Sequence, residues 1–370
     1  MIMNFIQKIS TNKFLRYSFI GLVLLFALEG FILTASYFAI KMHIFNDPGA
    51  VDYNDRHFQN VEKANSLSKN DTTCNPISEV SKFYQNVDIL NAYYPYNAIK
   101  LHNNYLEHKN INLAKQMFRA IEIELIDSTD FVNDLKAGKQ LSKNRKPSDK
   151  NAFEWMNIVE WEDFKIAVAK DSAIIDSVSR LTRVEPRLIV GVLLGEQMRL
   201  FNSSRETYKK VINPLKILSV EAKFSLGVTG IKEETAKKTE RYLKDTSSVF
   251  YLGKEFEHLL DFSTVDTTQE RFDRLVNYRN HYYSYMYAAL IIRQIRQQWL
   301  NEGYDISNRP EILATLFNLG YAVSKPKPNP SVGGSRIIVN EKVYTFGSLA
   351  YQFYYSGELT HLFPYKIDFW

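Results

Sequence analysis

The stretch Arg183-Val-Glu-Pro-Arg-Leu-Ile-Val-Gly-Val-Leu-Leu-Gly-Glu196-Gln197 sets one carboxyl group at the end of an apolar run. Pro186 suits the first turn of a helix, where its missing N–H would be unpaired in any case. Ile189, Val192, Leu193 and Leu200 then fall on the face that carries Glu196. A carboxyl group at the edge of such a stripe is a candidate general acid, because desolvation favours the neutral form. The same spacing also fits a helix that turns polar near its end, with Glu196 as its first solvated residue.

Positioning such a group takes a framework of helices. Glu160 to Arg180 reads as a helix ahead of the acid-bearing one, Thr235 to Lys244 as one after it, and Arg271 to Asn301 as a long helix. On that long helix Tyr278, Tyr282, Tyr285, Ile292 and Ile295 lie on related faces, a pattern that is usually core. Asn110 to Leu125 is amphipathic through Ile111, Leu113, Met117, Ile121 and Leu125, within a helical region that starts near Ile77. Ser324 to Gly334 is a Pro- and Gly-rich loop. Ile337 to Val339 and Val343 to Phe346 read as a hairpin around Asn340-Glu341, and residues 347–363 return to helix. Alternating βαβ units are absent, so the expected class is mainly α, or α+β.

The polar stretch from Asn46 to Asp71, with its Asp47-Pro48-Gly49 turn, reads as a linker or irregular stalk. Gly138 to Asp149, rich in Lys, Ser and Asn, is the expected domain boundary. Ahead of both, Tyr17 to Ile40 is nearly unbroken in its apolarity and exceeds the ~20 residues a bilayer requires. It lacks a convincing cleavage site, so an uncleaved anchor is expected rather than a signal peptide. Lys8, Lys13 and Arg16 precede the run and Asp47, Asp52 and Asp55 follow it, which places the N-terminus in the cytoplasm. The expected parts are thus a cytoplasmic segment 1–16, an anchor 17–40, a membrane-proximal helical region 41–145 and a main domain 146–370.

Glu29 lies in the middle of the anchor, where a charge costs about 2.5–3.5 kcal/mol. It either stays protonated and bonds locally or meets another transmembrane helix, helped by Gly21, Ala27 and Gly30. The net charge of +5 suits an anionic surface, and no basic stretch interleaved with aromatics points to nucleic acid. Cys74 is the only cysteine, so no internal disulfide is possible. The seven histidines show no metal-ligand spacing, and no cofactor is implied.

Three blocks resemble, in their order, the lytic transglycosylases and goose-type lysozymes, which cut the glycan strands of bacterial peptidoglycan. Val184 to Ile189 running into Gly195-Glu196 resembles the family's catalytic helix ending in its acid. Phe224-Ser225-Leu-Gly227-Val-Thr-Gly230-Ile231 to Ala236 is similar to the Gly-rich turn and helix that line the glycan cleft. Arg309 to Gly320, with Phe317-Asn318, resembles the helix bearing the Tyr-Asn-x-Gly signature. Together the blocks cover roughly residues 160–322, about half of the chain.

The resemblance implies a lysozyme-like helical domain acting on a bacterial cell wall, and with the apolar run at 17–40 the expected place of the chain is a bacterial inner membrane, held by a single anchor. It implies Glu196 as the catalytic residue, with Gln197, Ser225, Gly227, Ile231, Tyr282, Tyr283, Phe317 and Asn318 along the glycan. Glu196 would protonate the bond between N-acetylmuramic acid and N-acetylglucosamine, then take the proton of the muramic acid 6-hydroxyl to close a 1,6-anhydro ring. Hydrolysis with inversion would need a second carboxylate about 6.5–9.5 Å away. Glu206, Glu221, Glu233 and Glu234 are near in sequence, but none aligns with such an acid.

Three positions depart from the pattern: Gln197 replaces Ser, Gly230 replaces Gln, and Phe317 replaces the Tyr whose hydroxyl faces the acid. Tyr283 or Tyr321 could supply that hydroxyl instead. The alternative is a protein that keeps the fold to bind glycan or to hold a membrane assembly together.

Overall fold

Asn110 caps a helix where the sequence places one: its side chain accepts from the Leu113 N–H at 3.0 Å, satisfying a donor that the first turn leaves open. The computed structural model describes residues 13–41, 56–68, 76–141, 146–201 and 229–366. These belong to two compact units, Met1–Asp47 and Pro48–Trp370. Helices dominate both.

The first unit contains α1 (Lys13–Lys41), a single unbroken helix of 29 residues, about 43 Å long at 1.5 Å per residue. Its large apolar side chains at positions 20, 22–26, 28 and 31 are all exposed. Among the described residues no helix meets the combined length and apolarity that define a membrane span. The anchor expected at 17–40 is therefore not supported on that criterion, and the observation that stands is an unbroken helix with exposed apolar side chains.

In the second unit, α2 (Arg56–Ser68), α3 (Pro76–Asn91), α4 (Pro95–His108), α5 (Ile111–Glu124) and α6 (Thr129–Ala137) precede the main domain of the sequence reading. The stretch 46–71 is thus not wholly an irregular stalk. Residues 56–68 are helical because Asn60 donates to Ile123 O at 3.1 Å and Arg56 reaches Glu124, so α2 is held against α5. Residues 138–149, read as a boundary, run inside this one unit. The Tyr93 carbonyl accepts from Ser148 N at 2.9 Å across it.

The helices α7 (Val159–Lys170) and α8 (Ser172–Thr182) replace the single helix expected over 160–180, parted at Asp171. After them come α9 (Pro186–Phe201), with its proline at the first position, and α10 (Glu233–Lys244). The expected long helix at 271–301 is also two, α11 (Thr267–Val276) and α12 (Tyr282–Asn301). Asn277 breaks it by accepting from the N–H groups of Arg279 and Asn280, both at 3.0 Å, so its side chain replaces the next helical turn.

The chain closes with α13 (Pro310–Leu319), strands β1 (Arg336–Val339) and β2 (Lys342–Thr345), and α14 (Phe346–Tyr355). The strands pair antiparallel with Val339 opposite Lys342. Asn340 and Glu341 both take positive φ, at 47° and 67°, as a two-residue hairpin turn requires.

The core is built around α14, which packs on α9, α13 and α5. The crossing with α9 is close because Gly195 has no side chain: a Cβ there would lie 2.7 Å from the ring of Phe346. Arg187, fully buried near the start of α9, caps the far end of α14. It donates to the carbonyls of Phe353 and Tyr354, each at 2.8 Å, and of Glu358 at 2.7 Å. Its guanidinium carbon also lies 4.5 Å from the Tyr365 ring centroid. Two residues earlier, Glu185 accepts from Tyr354 OH at 2.6 Å and Lys366 N at 2.9 Å. Burial pushes the Glu185 pKa up, against the pull of these two hydrogen bonds. The charged residues flanking Pro186 therefore pin the C-terminal segment to the acid-bearing helix.

Candidate functional site

Glu196 sits on the last turns of α9, and the helix buries it rather than presenting it at a solvated edge: it is 4% exposed. It is not a lone acid. Arg199, three residues on and thus on the same face, donates a guanidinium N–H to Oε2.

The turn ahead of α10 lies against the same carboxyl group. Gly230 takes φ +62°, and a Cβ built there would run into Oε2 and stand 2.7 Å from Cδ. Only glycine combines that left-handed backbone with that approach. The departure at 230 thus has a steric cause, since a Gln side chain would begin in the space Glu196 fills. Next to it, Thr229 is fully buried and its hydroxyl has no hydrogen-bond partner among the described residues. Ile231 is core. Ser225, Gly227, Glu206, Glu221 and Cys74 lie outside the described residues.

The third block arrives through aromatic packing. Phe317, on α13, is buried and stacks on Phe346 with centroids 6.2 Å apart and planes at 26°. Phe346 is the ring that fills the space over Gly195. A continuous layer therefore leads from Phe317 to the residue before Glu196. Asn318 faces the Pro-rich loop: its Oδ1 accepts from Ser335 N at 2.8 Å and Ser335 Oγ at 3.0 Å.

Neither proposed substitute for the missing hydroxyl is at Glu196. Tyr321 OH bonds Thr239 Oγ1 at 2.9 Å and donates to Gln294, so it serves the packing of α10 on α12, and burial pushes its pKa up. The Tyr283 ring lies under the Arg274 guanidinium at 4.1 Å, with Tyr282 edge-on to it. No described contact brings Tyr282 or Tyr283 to the acid. Gln197 is half-buried beside Glu196. Glu233 and Glu234 pair with Lys237 at 2.8 Å and Lys238 at 3.0 Å, one turn on along α10.

No protein-family model matches this chain, and neither curated proteins nor solved structures give a match. The family resemblance rests on the three blocks alone.

Three polar clusters escaped sequence reasoning because their members are far apart in the chain. The buried carboxylate of Glu124 accepts from Arg56 at 3.0 Å, Lys342 at 3.2 Å, Tyr344 at 3.1 Å and Gln352 at 2.8 Å, and Trp155 donates to Gln352 at 2.7 Å. It joins α2, β2 and α14 to α5. Asp171 Oδ2 lies 2.6 Å from His281 Nδ1 and accepts from Tyr285 OH at 2.5 Å, tying the break between α7 and α8 to the start of α12. Glu240 receives Arg271 through two bonds, 2.7 and 2.6 Å, and Tyr287 at 2.5 Å. This last group borders a cavity of about 390 Å³ between α10 and α11. Of the four cations around it, Lys237 is paired with Glu233, Lys244 with Asp261 and Arg271 with Glu240, while the Arg241 guanidinium carbon lies 4.9 Å from the Tyr242 ring centroid. Among the described residues no group of three or more His, Cys, Asp or Glu side chains could hold a metal ion.

Proposed function

We propose that the chain is a peptidoglycan lytic transglycosylase of the bacterial cell envelope, with Glu196 as its single acid and base. One observation carries this reading: the Gly230 turn is pressed against the carboxyl group of Glu196, so two blocks separated by more than 30 residues meet at the one acid the reaction needs. Glu196 protonates the glycosidic oxygen as the bond to muramic acid C1 breaks. The resulting carboxylate then takes the proton of the 6-hydroxyl while that oxygen bonds to C1, so no water is consumed and no cofactor is required. Arg199 fixes the carboxyl rotamer from one turn away.

Residues 17–40 anchor the chain in the inner membrane, with the N-terminus in the cytoplasm and the main domain outside it. The support is the apolar run, the basic residues ahead of it and the exposed apolar side chains of α1. An apolar surface of that extent is unfavourable in water. Within the membrane Glu29 either stays protonated and bonds locally or meets a second helix, and Glu29→Leu should lower co-purification with a partner only in the second case.

A second reading, a glycan-binding or scaffold protein that does not cleave, is favoured by two observations: the Arg199 ion pair on Glu196 and the absence of a hydroxyl on Phe317. Incubating the full chain in detergent with purified peptidoglycan, and weighing the products, separates the possibilities. Anhydro-muramic ends are expected. Reducing ends would make the protein a lysozyme-like hydrolase, and binding without new ends would replace the enzyme by the scaffold. A reporter active only outside the cytoplasm should work when fused after the last residue and fail when fused ahead of Tyr17.

A further inference from the structure

The chain after α6 is fixed by hydrogen bonds to its backbone, not by burial of its side chains. Gly138, at φ 63°, ends α6 in a left-handed turn, with Lys139 N donating to Asp134 O at 3.2 Å and Gly138 N to Leu135 O at 3.1 Å. Asp134, itself buried, accepts from Leu141 N at 3.1 Å on Oδ1 and from Tyr93 OH at 2.7 Å on Oδ2. The carbonyl of the same Tyr93 accepts from Ser148 N at 2.9 Å. Residues 141 and 148 are therefore pinned at the two ends of one tyrosine.

That frame brings like charges together in solvent. Lys136, Lys139, Lys146 and Lys150 are all exposed, as is Leu141, at 55%. Asp149 is the one acid among residues 135–141 and 146–151. None of the four lysines forms an ion pair or side-chain hydrogen bond among the described residues. Other surface lysines are paired, Lys115 with Glu79 at 2.7 Å, Lys165 with Glu162 at 2.8 Å and Lys238 with Glu234 at 3.0 Å. Charges gathered around the two ends of one tyrosine are close on the scale of a Debye length, about 10 Å, so they add into one positive field.

We propose that Lys136, Lys139, Lys146 and Lys150, with Leu141 among them, form a contact surface for an anionic lipid bilayer. Each ammonium group, on its flexible stem, meets a headgroup phosphate as a point charge, so no fixed fork of donors has to be built in advance. Leu141, held outward by its bonded backbone, enters the headgroup layer between them. A soluble polyanion offers the charge but no place for this side chain. Contact of this kind is weak by itself. In a chain that an apolar helix also holds at the membrane it becomes intramolecular, so a modest affinity suffices. The surface does not rest on the Glu196 reading.

The test uses the full chain with Leu141→Cys in a Cys74→Ser background, labelled with an environment-sensitive fluorophore and assembled with nanodiscs of phosphatidylcholine alone or mixed with phosphatidylglycerol. Entry into discs of phosphatidylcholine alone reports the anchor, and the change on adding phosphatidylglycerol reports this surface, so the two readings fail separately. A blue shift in emission is expected with phosphatidylglycerol only, reversed by added salt. Each single Lys→Gln change at the four positions should lower the ratio of bound to free surface by about fivefold. The fourfold variant should lose the shift, Lys115→Gln should keep it, and thermal denaturation should show both folded. The proposal is overturned by no shift with phosphatidylglycerol, by an equal shift with phosphatidylcholine alone, or by an undiminished shift in the fourfold variant. The same shift with polyglutamate in detergent would also overturn it, assigning the lysines to acidic polymers.

Discussion

Glu124 and Glu196 are both buried glutamates on helices that pack against α14, yet their oxygens are treated differently. At Glu124 each oxygen accepts two bonds: Oε1 from Lys342 and Tyr344, Oε2 from Arg56 and Gln352. At Glu196 Arg199 takes Oε2, and no donor among the described residues reaches Oε1. A carboxylate with every acceptor site filled holds elements together. One with an oxygen to spare, walled by a glycine turn, is the one the proposed reaction would use. The difference teaches that burial alone does not tell these two acids apart. Unspent hydrogen-bonding capacity does.

The comparison is broken most sharply by removing the two acids in turn. Glu196→Gln, nearly isosteric, should cut glycan cleavage by roughly 10²- to 10⁴-fold while the unfolding midpoint stays near that of the wild type, measured by anhydromuropeptide release and thermal denaturation. Glu124→Ala should do the reverse. Removing the carboxylate leaves buried Tyr344 and Gln352 without their acceptor and partly exposed Arg56 and Lys342 without their counter-charge, and is expected to cost about 2–4 kcal/mol in denaturant titrations, whatever remains of activity. A Glu124 variant as stable as the wild type would remove its standing as a structural hub.

Gly230→Ala tests the contact between the two blocks. Its positive φ and the collision with Glu196 should cost about 1–3 kcal/mol, and displacement of the carboxyl group should lower cleavage by about 10²-fold. Unchanged turnover would mean that the turn does not position the acid.

Phe317→Tyr is expected to have a smaller effect. The added hydroxyl should raise cleavage a few-fold, the worth of one hydrogen bond of about 1 kcal/mol. A fall in rate together with a fall in Tm would show that the ring is there only to pack on Phe346.

Glu185 extends the comparison to pH. Its pKa is raised in the folded state by burial, so the folded protein binds this proton more tightly than the unfolded chain does. The stability it contributes is therefore full below the unfolded value and is lost as pH rises from there through the folded value. Glu185→Gln should flatten the decline in stability above about pH 4.5, read from denaturation midpoints at several pH values. An unaltered slope would assign that decline to other groups.

Local rules made much of the architecture legible. Pro186 starts α9, Asn110 caps α5, Asn340-Glu341 turns the hairpin, and α10 runs close to its expected span, each because a few adjacent residues decide a cap or a turn. The break at Asn277 had a local signal too, a side chain that bonds backbone in place of a helical turn, but the apolar periodicity across it was the stronger pattern; the side chain at the Asp171 break bonds distant His281 and Tyr285 instead. The position of Glu196 on its helix was likewise readable in the sequence, whereas Gly230 read only as a departure from the family pattern until packing brought its turn against that acid.

What the sequence by itself determined is the helical class, about half of the helix starts, the hairpin and the apolar run at 17–40. Tertiary structure alone decided that Arg187 caps α14, that Arg56 and Lys342 share Glu124, that Asp171 meets His281, and that Glu196 is buried beside Arg199 rather than solvated. The physical reason is range. Propensities, caps and turns act over a few residues, whereas a buried charge is satisfied by whichever donors the packed helices bring to it, here often more than 100 positions away along the chain.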